Sequence, residues 1–472
     1  MEIDFLVVGG GLSGASLAAA LARNPALAGR RTLVLEARAG RNPRFAGELI
    51  HPTGVEVLAA EGLLPPLEQA GGVAVEGFAV VPSGDEVATV LPYGEIPGGR
   101  PTGFAIEHHD MVAKLRETAS AHPGVEIRYG DRVVDLLREA EGADGERIVG
   151  VRTEKGEEIR AGLTLVAEGR HSKLRRMAGI EEEARLVSYT AAVLVHGTEL
   201  PHPRYGHIFL DAPGPILAYP IAQESAGTTV RMCLDVPTDL LEHHKGPALR
   251  QLLVDRYAPM VPRPLRDGML ASLASRPPEV AANQAMYTRR CVGPGVALVG
   301  ESGGCSHPLT AAGMTICLTD IRILVDELGA AVAAGADLDD PAGAAALARF
   351  QDRRYRFVRA REVLADALYE VFRGADEGAR AIRSGIFRYW QGSERARASS
   401  MALLSGADSR LQSFLGEYVR VVALSTSGAL AGRVPGNGRA LRDRLRSLGG
   451  LADKTVDKLK IVARHVRAGT MR

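Results

Sequence analysis

Residues 4–22, DFLVVGGGLSGASLAAALA, join an apolar run to a glycine-rich turn and then to a stretch of small residues. Gly9, Gly11 and Gly14 have the G-x-G-x-x-G spacing that follows the first strand of a dinucleotide-binding unit. The first glycine permits a tight turn, the second lets the backbone approach a pyrophosphate, and the third lets the helix pack closely on the strand. The stretch therefore predicts strand, turn and helix around a dinucleotide, within an α/β fold.

An acidic residue stands at the end of the next predicted strand. The run RTLVL, residues 31–35, leads to Glu36, which lies 22 residues after Gly14. A carboxylate at about this distance accepts hydrogen bonds from the ribose hydroxyls of the nucleotide. Because strand, helix and acid follow one another in the expected order, the sequence favours a dinucleotide site over a chance glycine turn.

Residues 296–321, VALVGESGGCSHPLTAAGMTICLTDI, contain a second strand, turn and helix start. The helix begins with the small residues Ala311, Ala312 and Gly313, which leave its backbone N–H groups accessible. Such a helix start, at the positive end of the helix dipole, suits the electron-rich edge of a flat cofactor such as reduced flavin. Taken alone, the segment is also compatible with an ordinary strand-turn-helix connection.

Composition indicates an ordinary globular chain of two or three domains, with 472 residues, 46% hydrophobic and 24% charged. Four cysteines without paired spacing, no N-terminal signal pattern and no clean 18-residue apolar window predict a cytoplasmic protein without a membrane span. We expect no metal site, because the adjacent pairs His108–His109 and His243–His244 lack a third ligand at useful spacing.

Positive charge is concentrated at the C-terminus. Residues 433–472 hold eleven Lys/Arg and three Asp/Glu, a net charge of +8, which leaves −7 for residues 1–432. Apolar residues alternate with these cations, so the segment predicts either peripheral contact with an anionic membrane or acidic partner, or a solvated helical extension. Aromatic residues for base stacking are absent from it, so we expect no nucleic-acid partner.

Hydrophobic periodicity divides the chain into four parts. The predicted parts are a discontinuous nucleotide-binding domain at 1–75, 104–175 and 285–340, a β-rich antiparallel substrate domain at 76–103 and 176–284, a C-terminal helical region at 341–432, and a basic amphipathic tail at 433–472.

A third segment, residues 163–175, again has a strand and an acid-glycine turn, Glu168-Gly169, before a helix start that Ser172 is predicted to cap. Together the three segments resemble the glutathione-reductase-type (GR2-type) FAD fold of single-subunit flavoprotein monooxygenases. Finer similarity, over about residues 3–420, is to the squalene epoxidases. It is carried by AGELIHPTGVEVL at 46–58, GPILAYPI at 214–221, HPLTAAGMT at 307–315 and ADALYEVF at 365–372.

The resemblance implies FAD as cofactor, O2 as co-substrate, and insertion of one oxygen atom through a flavin C4a-hydroperoxide. It places the isoalloxazine over the 307–314 turn. The FAD-binding residues that it implies, beyond the three glycines of the first motif, are Glu36, Arg44, Glu301, Pro308, Gly313 and Met314.

Several positions depart from the family pattern. Glu168 and Glu301 stand where the family has Asp, Asp110 stands where an FAD-contacting Arg is expected, His51 replaces a pocket Gln, and Ala311 and Ala312 replace glycines. We therefore still expect flavin chemistry, but these substitutions put the identity of the substrate in doubt.

Tyr93 matches a family tyrosine near the flavin, and its phenol would hydrogen-bond His51 across the pocket. The two are therefore the candidate catalytic residues, although the residues alone also fit a strand-end aromatic and a turn histidine. An apolar, closable chamber is required, because water would release hydrogen peroxide instead of product. The side chains expected to line it, if they face inward, are Phe78, Val80, Ile216, Leu217 and Tyr219.

The expected activity is an FAD-dependent monooxygenase that epoxidises a hydrophobic isoprenoid alkene such as squalene. NAD(P)H is the expected ultimate electron donor, through a separate flavin or ferredoxin-type reductase, because no second strand-coupled glycine fingerprint is apparent. Three alternatives stay open: oxygenation of a prenylated aromatic or polyketide-like metabolite, reduction of isoprenoid double bonds, and a flavin-binding scaffold without activity.

Overall fold

The computed structural model describes residues 3–40, 47–82, 87–141, 145–225, 227–338, 341–374, 376–434 and 441–470. The strands within these residues are β1 (Ile3–Val8), β2 (Thr32–Glu36), β3 (Leu49–Ile50), β4 (Val73–Val75), β5 (Gly77–Val81), β6 (Thr89–Pro92), β7 (Gly103–Ala105), β8 (Val125–Tyr129), β9 (Val133–Glu141), β10 (Gly145–Thr153), β11 (Glu158–Val166), β12 (Glu182–Thr198), β13 (Gly206–Phe209), β14 (Ile216–Glu224), β15 (Gly227–Val236), β16 (Glu279–Thr288), β17 (Val292–Gly293), β18 (Val296–Leu298) and β19 (Gly304–Cys305). The α-helices are α1 (Leu12–Arg23), α2 (Pro52–Ala60), α3 (Leu64–Gln69), α4 (His108–Ser120), α5 (Lys173–Met177), α6 (Thr238–His243), α7 (Pro247–Leu252), α8 (Arg263–Ser275), α9 (Gly313–Ala333), α10 (Pro341–Arg373), α11 (Glu377–Gly392), α12 (Glu394–Ser405), α13 (Leu411–Leu430) and α14 (Leu441–Thr470).

The first sheet has a parallel centre in the order β18-β11-β1-β2-β8, with β17 antiparallel at one edge and the β9-β10 hairpin joined to β11. Helix α1 packs against this sheet through its small residues, because almost every residue from Gly14 to Leu21 is buried. Fully buried Phe5, Leu6 and Val7 continue the same core on β1. The α/β class predicted from the sequence is therefore confirmed.

The second sheet is mostly antiparallel and has the order β19-β16-β12-β15-β14-β13-β5-β6. Its centre is the 17-residue strand β12, which pairs with β15 along one side and β16 along the other. The predicted boundary at residue 285 falls inside β16, which continues to Thr288. A small third sheet has the order β3-β7-β4, and its strand β3 ends at Ile50, one residue before the N-cap His51 of α2.

Helices α10 to α13 cover one face of the second sheet. Side chains from this helical region and from β5, β6, β13 and β14 form a single apolar cluster. The opposite face of the sheet packs against α7 and α8 in a separate cluster, which includes Ile216. The C-terminal helical region is thus one wall of the space above the second sheet.

The first half of α14 packs on the body of the protein. Leu451 is buried in the apolar cluster of the second sheet, and Lys454 Nζ lies 2.8 Å from the Glu370 carboxylate on α10. Lys458 is also paired with Glu370. Two of the cations in the predicted tail therefore serve internal ion pairs. Among the described residues, no helix is long and apolar enough to cross a membrane.

Candidate active site

Parallel strands of the first sheet end at one common edge, and the predicted motifs follow these ends. Residues 9–14 follow β1, Glu36 ends β2, residues 168–172 follow β11 and residues 300–303 follow β18. The carboxyl edge of such a sheet is where α/β proteins bind their ligands. The sheet order β18-β11-β1-β2 thus brings segments almost 300 residues apart to one place.

The three glycines of the first motif differ in what surrounds them. Gly9 has φ of 101°, and a Cβ on it would lie 2.5 Å from the carbonyl oxygen of Ala167. A Cβ on Gly14 would lie 1.8 Å from the carbonyl oxygen of Gly9, so only glycine allows this close approach of helix and turn. A Cβ on Gly11 would meet no protein atom within 4 Å.

The open space at Gly11 fits a dinucleotide phosphate. Gly11 is the N-cap residue of α1, and no side chain caps this helix end. Its first N–H groups and the positive end of the helix dipole therefore remain available for an anion. The geometry matches the three separate uses of glycine in a dinucleotide site, and the role of each residue in binding stays a prediction.

Glu36 is fixed beside this turn by three donors. The N–H of Gly10 donates to Glu36 Oε2 at 2.9 Å, and Arg116 Nη2 donates to the same oxygen at 2.9 Å. Arg38 N–H donates to Oε1, which keeps a lone pair for a ribose hydroxyl. Arg116 also donates to the carbonyl of Gly10 at 2.6 Å, so one side chain joins the turn and the acid.

Arg116 was not among the residues predicted from the sequence. It lies on α4, the helix whose first turn contains the exposed Asp110 at the position of the expected FAD-contacting arginine. No local pattern points to Arg116, because residues six apart on a helix do not share a face. The predicted residue Arg44 lies outside the described residues.

The turn after β18 packs directly against the start of α1. A 3-10 turn at Gly300–Gly303 has φ of 64° at Gly300, and a Cβ there would lie 2.2 Å from Ser13 Oγ on α1. Buried Asp320 accepts from Gly300 N–H at 3.1 Å and from Arg354 Nε at 2.9 Å, which anchors the turn to α9 and α10. The two motifs therefore meet directly.

The remaining predicted FAD residues cluster at the start of α9. A Cβ on Gly313 would lie 3.7 Å from Glu301 Oε1, so the carboxylate is adjacent to the helix start. The Met314 side chain lies beside Gly47, and Pro308 is exposed on the preceding turn. The longer side chain of Glu301 thus still reaches the helix start, although its contact with a cofactor stays a prediction.

Ser172 and Cys305 have structural rather than nucleophilic roles. Ser172 Oγ donates to Glu168 Oε2 at 2.7 Å and accepts from Arg175 N–H at 3.2 Å, which confirms the predicted helix cap. Burial raises the pKa of the Cys305 thiol to about 12, which opposes formation of a nucleophilic thiolate. Among the described residues, no group of three His, Cys, Asp or Glu side chains is arranged to hold a metal.

His51 and Tyr93 form the hydrogen bond expected from the sequence. His51 Nδ1 lies 2.5 Å from Tyr93 Oη, and Nε2 lies 2.8 Å from the carbonyl oxygen of Thr310. A carbonyl only accepts, so Nε2 carries the proton and Nδ1 accepts from the phenol. Both side chains are fully buried. Burial lowers the pKa of His51 to about 4 and raises that of Tyr93 well above its usual range, so both are neutral at pH 7.

This pair holds the 3-10 turn Pro308–Thr310, and a second histidine holds the same turn from its other end. His307 Nδ1 accepts from Leu309 N–H at 3.2 Å, so its Nε2–H points away and donates to Ser188 Oγ at 2.9 Å. Asp235 Oδ1 lies 3.3 Å from the same nitrogen, and the imidazole packs at a tilt against the ring of Tyr369, with ring centroids 4.0 Å apart. This buried network joins the turn to the second sheet and to α10, and it was not predicted from the sequence.

Ala311, which follows this turn, has a left-handed backbone. Its φ of 50° and ψ of 18° make it the one non-glycine residue with positive φ in the described part of the chain. An L-residue with a Cβ pays about 1 kcal/mol for this conformation, and glycine avoids most of that cost. The turn is therefore strained at the position where the family has glycine.

An apolar chamber opens from this turn into the space between the second sheet and helices α10 to α13. Its cavity volume is about 120 Å³, and 20 of its 22 lining side chains are apolar or aromatic. Leu309 of the turn and Phe78 lie in its wall. The Phe78 ring is 5.9 Å from the His51 ring and 6.2 Å from that of Tyr93, so Phe78 separates the polar pair from the chamber.

The predicted chamber residues are only partly correct. Phe78 and Val80 line the chamber, whereas Ile216 faces the opposite side of the second sheet. Leu217 and Tyr219 belong to the apolar cluster on the chamber side but lie behind its surface. Most of the lining comes from helices α10 to α13, which the sequence analysis described as helical without assigning them to the chamber.

The fold and the site define a class of flavoprotein. The chain superposes on the crystal structure of p-nitrophenol 4-monooxygenase PnpA from Pseudomonas putida DLL-E4 with a TM-score of 0.70 and 18% identity, over 86% of this chain and 100% of the other. A profile for NAD(P)-binding Rossmann-like domains matches residues 7–53. The overall architecture is therefore that of the FAD-dependent monooxygenases.

Sequence comparison identifies the family within this class. The squalene epoxidase profile matches residues 160–435. Squalene epoxidase 3 of Arabidopsis thaliana is 30% identical over 89% of this chain and 77% of its own length, and squalene epoxidase erg1 of Schizosaccharomyces pombe is 27% identical over 89% of both. The chain belongs to the squalene epoxidase family and is an FAD-dependent monooxygenase that uses FAD and O2.

Proposed function

We propose that this enzyme epoxidises a carbon-carbon double bond of a long isoprenoid such as squalene, with one oxygen atom taken from O2. The observation that carries the proposal is the apolar chamber that begins at Leu309, a residue of the turn predicted to carry the flavin. A hydrocarbon offers no hydrogen-bonding groups, so a site for it must be apolar over its length. A chamber with 20 apolar side chains out of 22 meets that requirement.

FAD, when bound and reduced, supplies the activation of O2. The chain's own residues would supply position and a dry environment. Tyr93 and His51 keep their protons at neutral pH on the phenol oxygen and on Nε2, so they hold Thr310 rather than transfer protons to solvent. Phe78 and Leu309 exclude water from the side of the turn that faces the chamber.

The electron donor in this proposal is NAD(P)H acting through a separate flavin or ferredoxin-type reductase. Support comes from the single glycine fingerprint at residues 9–14, which the FAD of the family requires for itself. The expected result is slow flavin bleaching with NADPH alone under nitrogen, and rapid bleaching when a catalytic amount of a flavin reductase is added. Rapid bleaching by NADPH without the reductase contradicts this part of the proposal.

Turnover in isotopically labelled oxygen tests the main proposal. The purified holoenzyme is photoreduced, mixed with squalene and exposed to 18O2, and the product is analysed by mass spectrometry. We expect one labelled atom in an epoxide. A saturated product, formed equally well without O2, would instead identify an isoprenoid reductase, and hydrogen peroxide without product would identify an uncoupled flavoprotein.

A matched pair of variants ties the product to the chamber. Ala367 lines the chamber from α10, whereas Val419 is 63% exposed on α13. Ala367→Phe is expected to retain FAD but to lose most squalene-dependent product, because the ring fills the chamber. Val419→Phe is expected to behave as wild type. Equal product from both variants contradicts the assignment of the chamber.

A second candidate function is oxygenation of a prenylated aromatic or polyketide-like metabolite. The two polar lining residues, Ser400 and Glu417, favour it, because both lie near the adjacent residues Tyr389 and Trp390 of α11. Trp390 Nε1 donates to Ser400 Oγ at 3.0 Å, and Tyr389 Oη donates to Glu417. This polar end of the chamber would suit a substrate with one oxygenated terminus. Competition between squalene and prenylated quinolones for product formation distinguishes the two candidates.

We also propose that the enzyme is cytoplasmic and contacts a membrane peripherally. Three exposed apolar side chains on the last two helices support it, namely Leu430, Leu445 and Val456. Sedimentation with anionic vesicles at low and high salt tests the contact. Binding is expected to weaken in Leu445→Asp, and equal sedimentation of this variant and wild type contradicts the proposal.

A further inference from the structure

Ala311 lies between the chamber and the start of α9. Two residues before it, Leu309 lines the chamber, and two residues after it, Gly313 begins the helix predicted to face the flavin. Its left-handed backbone is unfavourable for alanine, although glycine would fit without strain. Strain of this kind is retained mainly where the residue serves a function, so the methyl group itself requires an explanation.

Ala311 and its neighbour Ala312 pack against different apolar clusters. Ala311 is half-buried and packs against the apolar cluster that supplies the chamber walls. Its neighbour Ala312 has an ordinary right-handed backbone and packs in a different cluster, with Phe357 of α10. Two adjacent alanines thus pack in two different environments, and only the strained one packs against the cluster that supplies the chamber walls.

We propose that the Ala311 methyl is a specificity-determining group that limits the width of the substrate where it meets the flavin turn. The inference rests on the proposed function and deepens it. The favoured substrate class is a slender, linear isoprenoid alkene, and the disfavoured class is a fused-ring alkene of similar size. Glycine at this position would leave room for a wider ligand, whereas a residue larger than alanine would add crowding to the backbone strain.

The variants Ala311→Gly and Ala312→Gly test the proposal as a matched pair. Both remove one methyl group from the same turn, and the probes are squalene and the fused-ring alkene cholesterol, each delivered in cyclodextrin. In A311G we expect the preference for squalene over cholesterol, as a ratio of kcat/KM, to fall roughly tenfold, the usual effect of one methyl group in a binding pocket. In A312G we expect this ratio to stay at the wild-type value.

The melting temperature provides a second readout, because the two variants are expected to change it in opposite directions. A311G relieves a left-handed alanine, so its melting temperature is expected to equal or exceed that of wild type. A312G places glycine at a right-handed position, so its melting temperature is expected to fall. A preference for squalene that stays unchanged in A311G, or that falls equally in A312G, overturns the proposal.

A binding assay separates this proposal from the proposed function. Trp390 is the only tryptophan of the chain and lines the chamber, so its fluorescence reports ligand binding without turnover. The ratio of the two Kd values in A311G and wild type should shift by the same roughly tenfold factor. If the Kd ratio shifts but no epoxide forms, the proposed reaction is refuted and the role of Ala311 is not. If the Kd ratio does not shift, the role of Ala311 is refuted.

Discussion

Replacing His51 by glutamine removes a titratable group from the centre of the active site and leaves its hydrogen bonds possible. The amide oxygen accepts from the Tyr93 phenol, and the amide NH2 donates to the carbonyl of Thr310, as the neutral imidazole does. Unlike imidazole, the amide takes up no proton between pH 5 and pH 7.5. H51Q therefore isolates the contribution of His51 protonation to stability.

The two pKa values of His51 give the size of the effect. Burial lowers the pKa to about 4 in the folded chain, from 6.5 in an unfolded chain. As the pH falls below 6.5, the unfolded chain binds a proton here that the folded chain does not, so the free energy of unfolding decreases toward pH 4. Linkage gives a loss of about 2 kcal/mol at pH 5 and almost none at pH 7.5.

Urea-induced unfolding, followed by the fluorescence of buried Trp390, measures this loss in wild type and H51Q. When the pH falls from 7.5 to 5, the free energy of unfolding is expected to decrease by about 2 kcal/mol more in wild type than in H51Q. His207, with a pKa also lowered to about 4 by burial, gives the control variant His207→Gln, which should show a similar difference from wild type without changing the flavin spectrum. Parallel pH profiles for wild type and H51Q refute the assignment of a buried neutral His51.

Gly11→Ala is expected to fold normally and lose FAD, because its Cβ would meet no protein atom within 4 Å but would fill the approach to the pyrophosphate. Gly14→Ala is expected to fail in folding as well, because its Cβ would lie 1.8 Å from a carbonyl oxygen. Flavin absorbance and circular dichroism separate the two variants, and full FAD content in G11A contradicts the site. Arg361→Met is expected to raise the free energy of unfolding by about 1–3 kcal/mol, because Nε and Nη2 of this buried guanidinium lack partners in the described structure. A urea midpoint for R361M at or below that of wild type refutes this explanation.

Features whose chemistry is local were predictable from the sequence. The spacing of Gly9 and Gly14 after an apolar run dictates turn and helix, because no other residue type fits the contacts at these two positions. Gly11 between them and Glu36 at the end of the next strand complete the recognisable pattern. The helix cap at Ser172 is likewise decided within four residues. Such motifs locate the cofactor edge of the sheet without any knowledge of distant packing.

Features that depend on distant packing were not predictable. The Arg116–Glu36 ion pair joins residues 80 positions apart, and no local pattern specifies it. Successive residues of a strand point to opposite faces, so Ile216 and Leu217 could not both face the chamber, and distant packing decides that Leu217 lies on the chamber side. The left-handed Ala311 also escaped prediction, because the turn around it is held by contacts with His51 and His307.

The chamber and a polar surface cleft between α12 and α13 share two side chains, Leu403 and Glu417. The partition between interior and solvent is therefore a single residue thick at this point. We expect rotation of these two side chains to join the two spaces, at a distance from the flavin turn that His51 and His307 hold. Entry and exit of a long hydrocarbon would then depend on side-chain rotations in the outer helices rather than on movement of the turn.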